Sequence, residues 1–297
     1  MSQKISVIIP HYNDTKNLNY LVKSILLQKK FNDNDEIIIV DDKSTEIINE
    51  VEGKNIKYIY SKKNCGPSAA RNFGINNSKK DILLFLDSDT RLCENSIVEI
   101  KNHYKKKGHE DILNGYCSIE PINKNFYTEY KALVEYSWFK NSIELNISPK
   151  MFNTRVGCIK RDLLLSKKFF FNEDIKKADV EDYEFSNQLQ SCTFKLSKNL
   201  IVRHDFPSLL NTTKVYFRRA KSWLNLLLVK KVQFSSGGTS KKNAIGHFFG
   251  FSIIFSLLLS LARIELIVFT LISTIFFTLI YYDFFSKIFL KKKKKIF

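Results

Sequence analysis

The sequence predicts an α/β protein: a mostly parallel, mixed sheet flanked by helices, then an amphipathic helix and a two-helix membrane hairpin. Three observations carry this reading. Short apolar runs alternate with helical patterns up to about Leu200, the signature of βαβ units. Two of those runs end in paired acids, Asp41-Asp42 and Asp87-Ser88-Asp89, where the carboxyl edge of an open α/β sheet binds ligands. Two charge-free segments, Ile245 to Ala262 and Leu266 to Tyr282, close the chain.

The elements follow in order. Ile5 to Ile9 read as a first strand, and Leu18 to Leu27 carry apolar residues at helical spacing. Glu36 to Val40 and Ile56 to Tyr60 are the second and third strands. Pro67 to Ile75 read as a helix with Pro67 in its first turn, a position that needs no backbone N–H. Ile82 to Leu86 are five apolar residues in a row, as in a strand buried on both faces. Asp111 to Ile119 and Arg155 to Ile159 are further strand candidates.

One helix across both C-terminal segments would overrun a ~30 Å hydrocarbon core at ~1.5 Å per residue. A hairpin therefore fits better, with Arg263 and Glu265 at the far interface. Lys241, Lys242 and the run Lys291 to Lys295 then lie on the cytoplasmic side, as the positive-inside rule requires. A shallow re-entrant pair or a buried soluble hairpin is the competing reading. From Leu209 to Phe234, Leu210, Tyr216, Phe217, Trp223, Leu224, Leu227 and Leu228 alternate with Arg218, Arg219, Lys221, Lys230 and Lys231. That pattern fits a helix in a membrane interface, or one packed on the domain. Ser235 to Gly238 make a joint. The expected division is a first domain over 1–206, an interfacial helix and linker over 207–242, and the hairpin with a polybasic end over 243–297.

The net charge is +17, which fits an anionic membrane or acidic substrates. With no zinc-finger or helix-turn-helix signature and no Arg-rich arm, nucleic acid is not expected as a partner. Five scattered cysteines without a C-x-x-C pair argue against a disulfide framework or zinc site and fit a reducing compartment. No apolar run opens the chain, so no signal peptide is expected.

A turn at Ser88 can bring Asp87 and Asp89 to one hard cation, and Mg²⁺ takes one or two carboxylates plus substrate phosphates. The competing reading is a plain acidic turn. Four further stretches accompany this pair. In Pro10-His11-Tyr12-Asn13, Tyr12 can stack on a base or pack on its loop. In Asp41-Asp42-Lys43-Ser44, Asp42 can accept from a base imide or ribose hydroxyl, or serve as a turn residue. In Asn64-Cys65-Gly66-Pro67, Gly66 permits close backbone approach; Arg71 further on can pair with a phosphate or with Asp87. In Asp179-Val180-Glu181-Asp182-Tyr183-Glu184, the acids can favour a helix start through its dipole or supply a general base, Asp182 first and Glu181 as the alternative.

Together these stretches resemble the family-two glycosyltransferases of the GT-A, nucleotide-diphospho-sugar transferase fold, over about Lys4 to Trp223. The resemblance implies an inverting transfer from a nucleotide-sugar, UDP-linked by family expectation, to a hydroxyl of a lipid-linked or surface-glycan acceptor. It implies a donor-binding set of Pro10, Tyr12, Asp42, Gly66, Arg71, Asp87 and Ser88. Tyr12 and Asp42 would hold the base, and Arg71 and Asp87 would lie by the diphosphate and ribose. Asp89, with Asp87 and His204, would bind Mg²⁺ or Mn²⁺, and Asp182 would deprotonate the acceptor. Arg218, Arg219 and Trp223 look like a looser Arg-Trp motif of processive relatives, without its opening Gln. The expected place is the cell membrane, with the catalytic domain cytoplasmic and lipids as partners. Transfer to a polyprenyl phosphate and an inactive membrane-anchored binding scaffold are the competing functions.

Overall fold

The computed structural model describes residues 3–177, 179–228 and 241–289. Ser235 to Gly238, Lys230, Lys231 and the run Lys291 to Lys295 lie outside the described residues. The sheet is built from β1 (Ile5–His11), β2 (Glu36–Asp41), β3 (Ile56–Tyr60), β4 (Ile82–Leu86), β5 (Thr90–Leu92), β6 (Ile112–Cys117), β7 (Val156–Lys160) and β8 (Phe194–His204). Their spatial order is β3-β2-β1-β4-β7-β6-β8-β5. The four strands β1 to β4 run parallel, as do β6 and β8. β7 is antiparallel to both β4 and β6, and β5 is antiparallel to β8.

The apolar runs explain the centre of the sheet. Every residue of β4 is buried, and so are five of the seven in β1 before Pro10. Alternate side chains leave a strand on opposite faces, so the runs feed two layers. Ile5, Val7 and Ile9 pack in one cluster with Leu18, Leu21, Val22 and Ile25. Those four are the inner stripe of α1 (Thr15–Leu26). On the other face, Ile8 and Phe85 pack with Phe152, Phe171 and Phe185, and Phe85 meets Phe152 edge-on at 5.5 Å. Gly74, in α2 (Pro67–Asn77), lets that helix settle on β1, because a Cβ there would lie 2.4 Å from Cγ2 of Ile8.

Further helices are α3 (Ser96–Lys105), α4 (Phe126–Leu145), α5 (Arg161–Ser166), α6 (Glu181–Gln188) and α7 (Leu209–Leu228). The expected N-terminal strands appear with their ends extended by at most two residues. β8 has no counterpart in the sequence reading. Its alternation, Phe194, Leu196, Leu200 and Val202 inward, is broken by Lys198-Asn199, where the pairing with β6 shifts register between Asn114 and Tyr116.

The chain divides into two compact units. One holds the sheet, its helices and α7. The other holds Leu133–Lys140 and the C-terminal helices, α8 (Lys241–Leu259) and α9 (Leu266–Asp283), followed by a π-helical turn at Phe284–Phe289. α8 and α9 form the expected hairpin. Ser256 and Thr270 hydroxyls meet across it at 2.8 Å, and Gly246 lies against Tyr281. The turn needs no Gly or Pro, since Ala262 and Arg263 both donate to the Leu259 carbonyl. Among the described residues, one helix, Leu266–Ser286, is long and apolar enough to cross a membrane; the apolar part of α8, Ile245–Leu259, is shorter.

Below the sheet, Lys101 Nζ meets Asp35 Oδ2 at 2.6 Å with both groups buried, and Asp35 also accepts from the Ile5 and Asn32 N–H groups. Removing one partner of such a pair leaves an uncompensated buried charge, costing about 3–5 kcal/mol. Lys101→Met is therefore expected to lower the urea midpoint of the detergent-solubilised chain strongly. Adding Asp35→Asn should restore most of the loss.

Candidate active site

Loops at the carboxyl edge of β1, β2 and β4 form one side of the site. After β1, Tyr12 stands half exposed. Asn13 takes a left-handed conformation, φ 49°, and its Oδ1 accepts from the Thr45 N–H at 2.7 Å. This ties the loop after β1 to the loop after β2. Pro10 lies at the end of β1, paired with Val40. His11 is buried 4.0 Å from Asp41; burial pushes its imidazole below the ordinary range, against the pull of Asp41.

Asp42 is buried, and its two carboxylate oxygens accept from the Cys65 and Gly66 N–H groups at 2.7 Å each. The side chain is thus an anchor for the loop that opens α2. Gly66 has φ +90°, and a Cβ there would sit 2.3 Å from the Lys176 carbonyl oxygen. Only glycine fits this approach.

α2 then delivers Arg71, 3% exposed. Its guanidinium donates to Asp87 Oδ1 at 2.8 Å and to Glu181 Oε1 at 3.3 Å, and lies 5.4 Å from the Phe171 ring centre. Burial works against the charge, but the two acids outweigh it and raise the group above its ordinary value. Arg71 thereby joins the end of β4 to the start of α6. The neighbouring Asn72 exchanges hydrogen bonds with the Phe171 backbone and fixes the segment leading to α6.

The turn Asp87-Ser88-Asp89 is closed by Thr90, whose N–H and hydroxyl both donate to the Asp87 carbonyl. It sends the two acids to different partners: Asp87 to Arg71, and Asp89 to His204 at 3.1 Å. β8 places that histidine by pairing Thr90 with His204. Burial pushes the Asp89 carboxyl up, but His204 and then Arg155 hold it below the ordinary range.

Among the described residues, no three His, Cys, Asp or Glu side chains are arranged to hold a metal. Of the expected set of Asp87, Asp89 and His204, Asp87 is engaged by Arg71, while Asp89 and His204 lie against each other. Asp89 Oδ1 and His204 Nδ1 are buried without a hydrogen-bond partner. One carboxylate and one imidazole leave coordination positions for phosphate oxygens.

α6 carries the candidate base. Glu181 is 5% exposed and fully engaged, with Oε1 on Arg71 and Oε2 accepting from the Asp179 N–H at 2.6 Å. Both its oxygens are thus engaged, which favours Asp182 as the candidate base. Burial, then Glu181, push the Asp182 carboxyl up to about 7, against Arg219, the Tyr183 N–H and Arg71. α7 passes alongside: Ser222 donates to Asp179 Oδ2. Arg218 is exposed on the same helix; Trp223 falls within α7, and its side chain lies outside the described residues. Arg155, whose charge reaches Asp89 and whose Nη1 lies 3.3 Å from Cys117 Sγ, was missed by the sequence reading. It precedes β7 with no motif to mark it.

Comparison with known proteins bears on the family and the fold. A glycosyltransferase of Haemophilus influenzae, itself uncharacterised, is 29% identical over 231 residues, covering 73% of this chain and 89% of that protein. The minor teichoic acid biosynthesis protein GgaA of Bacillus subtilis is 35% identical over 197 residues, covering 62% of this chain and 42% of that protein. The chain spans well under two thirds of most of the curated relatives it matches. The crystal structure of S. aureus TarS 1-349 with UDP-GlcNAc superposes with a TM-score of 0.57 at 20% identity, covering 76% of this chain and 67% of that one, which shows a shared GT-A fold. The family model for glycosyl transferase family 2 matches residues 6–161, more than half of the sequence, and the chain belongs to that family.

Proposed function

We propose that this glycosyltransferase moves a sugar, with inversion, from a nucleotide-diphospho-sugar to a hydroxyl of an envelope glycan acceptor. The observation that carries the reading is the bridge Asp87–Arg71–Glu181, which sets the base-bearing helix beside the strand end that carries Asp89. A UDP-linked donor is supported by the TarS complexes with UDP and UDP-GlcNAc. A phosphate-bearing or lipid-linked acceptor is supported by GgaA, by the chain's net charge of +17, and by the apolar helix Leu266–Ser286 that can hold the enzyme at a membrane.

The roles follow from the chemistry. Tyr12, exposed beside the Asn13 turn, offers a stacking face to the base. The Asp42-anchored loop opens α2 beside the donor, and Arg71 holds Asp87 in place by the ribose and diphosphate. Asp89 and His204 are the residues that would hold Mg²⁺ or Mn²⁺; when bound, the cation supplies Lewis-acid stabilisation of the departing nucleoside diphosphate. Asp182 takes the acceptor proton as its oxygen attacks the face opposite the leaving group. One base suffices for a single inverting displacement, since a retaining double displacement needs a second carboxylate at the reacting carbon.

The decisive experiment uses Asp182→Asn in membranes supplied with labelled nucleotide sugars. Turnover should fall about 10²–10⁴-fold, the usual worth of a general base, while titration calorimetry still detects UDP binding. Near-normal turnover would instead favour a polyprenyl-phosphate acceptor, which scarcely needs a base. Absence of UDP binding in the wild type would favour a scaffold.

The pH profile gives a second check. Asp182 works only when deprotonated, and its folded-state value is raised to about 7. Activity is therefore lost as pH falls through about 7, with kcat/KM dropping about tenfold per unit below it. Glu181→Gln removes the repulsion and frees Arg71 toward Asp182, so the midpoint should move to lower pH.

For the cation, chelation with EDTA should abolish transfer and added Mn²⁺ should restore it. His204→Ala should raise the Mn²⁺ concentration needed for half-maximal rate.

A further inference from the structure

We infer that α7 is a two-faced helix whose outer face docks on an anionic lipid surface while its inner face holds the base-bearing segment. Thr212, Arg219 and Ser222, spaced i, i+7 and i+10, turn inward: Thr212 is buried, Arg219 acts on Asp182, and Ser222 bonds Asp179. Leu210, Lys214 and Phe217, spaced i, i+4 and i+7, lie on the opposite side, and Arg218, one turn before Ser222, lies at the edge between the two; all four are exposed. Leu210 and Phe217 are each 74% exposed.

An apolar stripe this open is uncommon on a soluble surface, and its occupant is indicated by the charges within it. Lys214 lies on the stripe between Leu210 and Phe217, and Arg218 lies at its edge, one turn from Lys214. Long basic side chains bury their stems against an apolar layer and keep their heads at its polar boundary. A flat anionic headgroup layer over hydrocarbon matches both features. A protein partner of ordinary interface composition would instead favour few charges at the centre of the patch. The inference holds whatever reaction the site performs, because it rests on the helix surface alone. Its consequence is that the bilayer would brace the helix that carries Ser222 and Arg219, fixing Asp179 and Asp182 close to the membrane surface.

The test uses the full chain reconstituted in vesicles, with a benzophenone amino acid at position 217. Illumination should give lipid adducts in phosphatidylglycerol-containing vesicles. Adducts should be fewer in phosphatidylcholine alone, and absent with the probe at buried position 212. Each basic residue near an anionic surface is worth about 1 kcal/mol. Lys214→Glu with Arg218→Glu should therefore cut the lipid adduct at 217 by about tenfold or more. A crosslink to a second copy of the chain, or a lipid adduct indifferent to headgroup charge and to the double reversal, would overturn the inference while leaving glycosyl transfer untouched.

Discussion

The site depends on one buried cation. The Arg71 guanidinium is protonated at any accessible pH, and at 3% exposure it cannot turn to water. Its charge must be met inside the protein, and Asp87 and Glu181 meet it from either side. These acids are remote in sequence and lie on different elements, so the requirement to neutralise Arg71 fixes the start of α6 against the end of β4. A lysine would bring the charge, but not the planar fork that lets guanidinium reach two acids from separate nitrogens.

The same arrangement separates the two carboxylates to which the proposed function gives the chemistry. Asp89 is held below the ordinary range by His204 and Arg155, so it stays ionised and suited to a cation. Asp182, buried next to Glu181, is raised to about 7 and suited to taking a proton. Environments that drive two acids apart are how a single site assigns one to charge and the other to proton transfer. Glu181 contributes to both sides of this balance. It neutralises Arg71, and it makes ionisation of its neighbour harder.

What the sequence could reveal follows from which forces are local. The runs Ile5 to Ile9, Ile37 to Val40 and Ile82 to Leu86 are apolar because both sheet faces are covered, and burial on two sides leaves a continuous signal. The direction of β7 leaves none: a strand's period is the same whichever way it runs, and orientation is set by the path of the chain through α4. β8 hides because Lys198 and Asn199 sit at a register shift and interrupt its alternation. In the site, acids at strand ends could be read, but their partners could not. Asp42 reads equally well as a ligand for a base or ribose and as a turn residue, and its hydrogen bonds to the Cys65 and Gly66 N–H groups, more than twenty residues on, could not be read from either. Asp87 and Asp89 are one residue apart, yet Arg71 and His204 draw them to different tasks. Spacing does not contain that choice.

α6 is only eight residues long and has no side-chain N-cap. A helix of two turns has little stability of its own, so its position must come from its attachments. Three acids in its first turn suit the helix dipole, but the dipole constrains no direction across the helix. Direction comes from Phe185, packed on Phe152 and Phe171, and from hydrogen bonds of Glu184, Ser186 and Gln188 to Asn172, Phe152 and Phe170. Two ties at the N-terminus add to these: Glu181 to Arg71 on α2, and Asp179 to Ser222 on α7. The first is charged, buried and braced by the sheet. The second is a hydroxyl hydrogen bond from a helix largely exposed on its outer side. Asp182 therefore sits on a helix held by the core and by Arg71, with α7 as a weaker attachment on its remaining side.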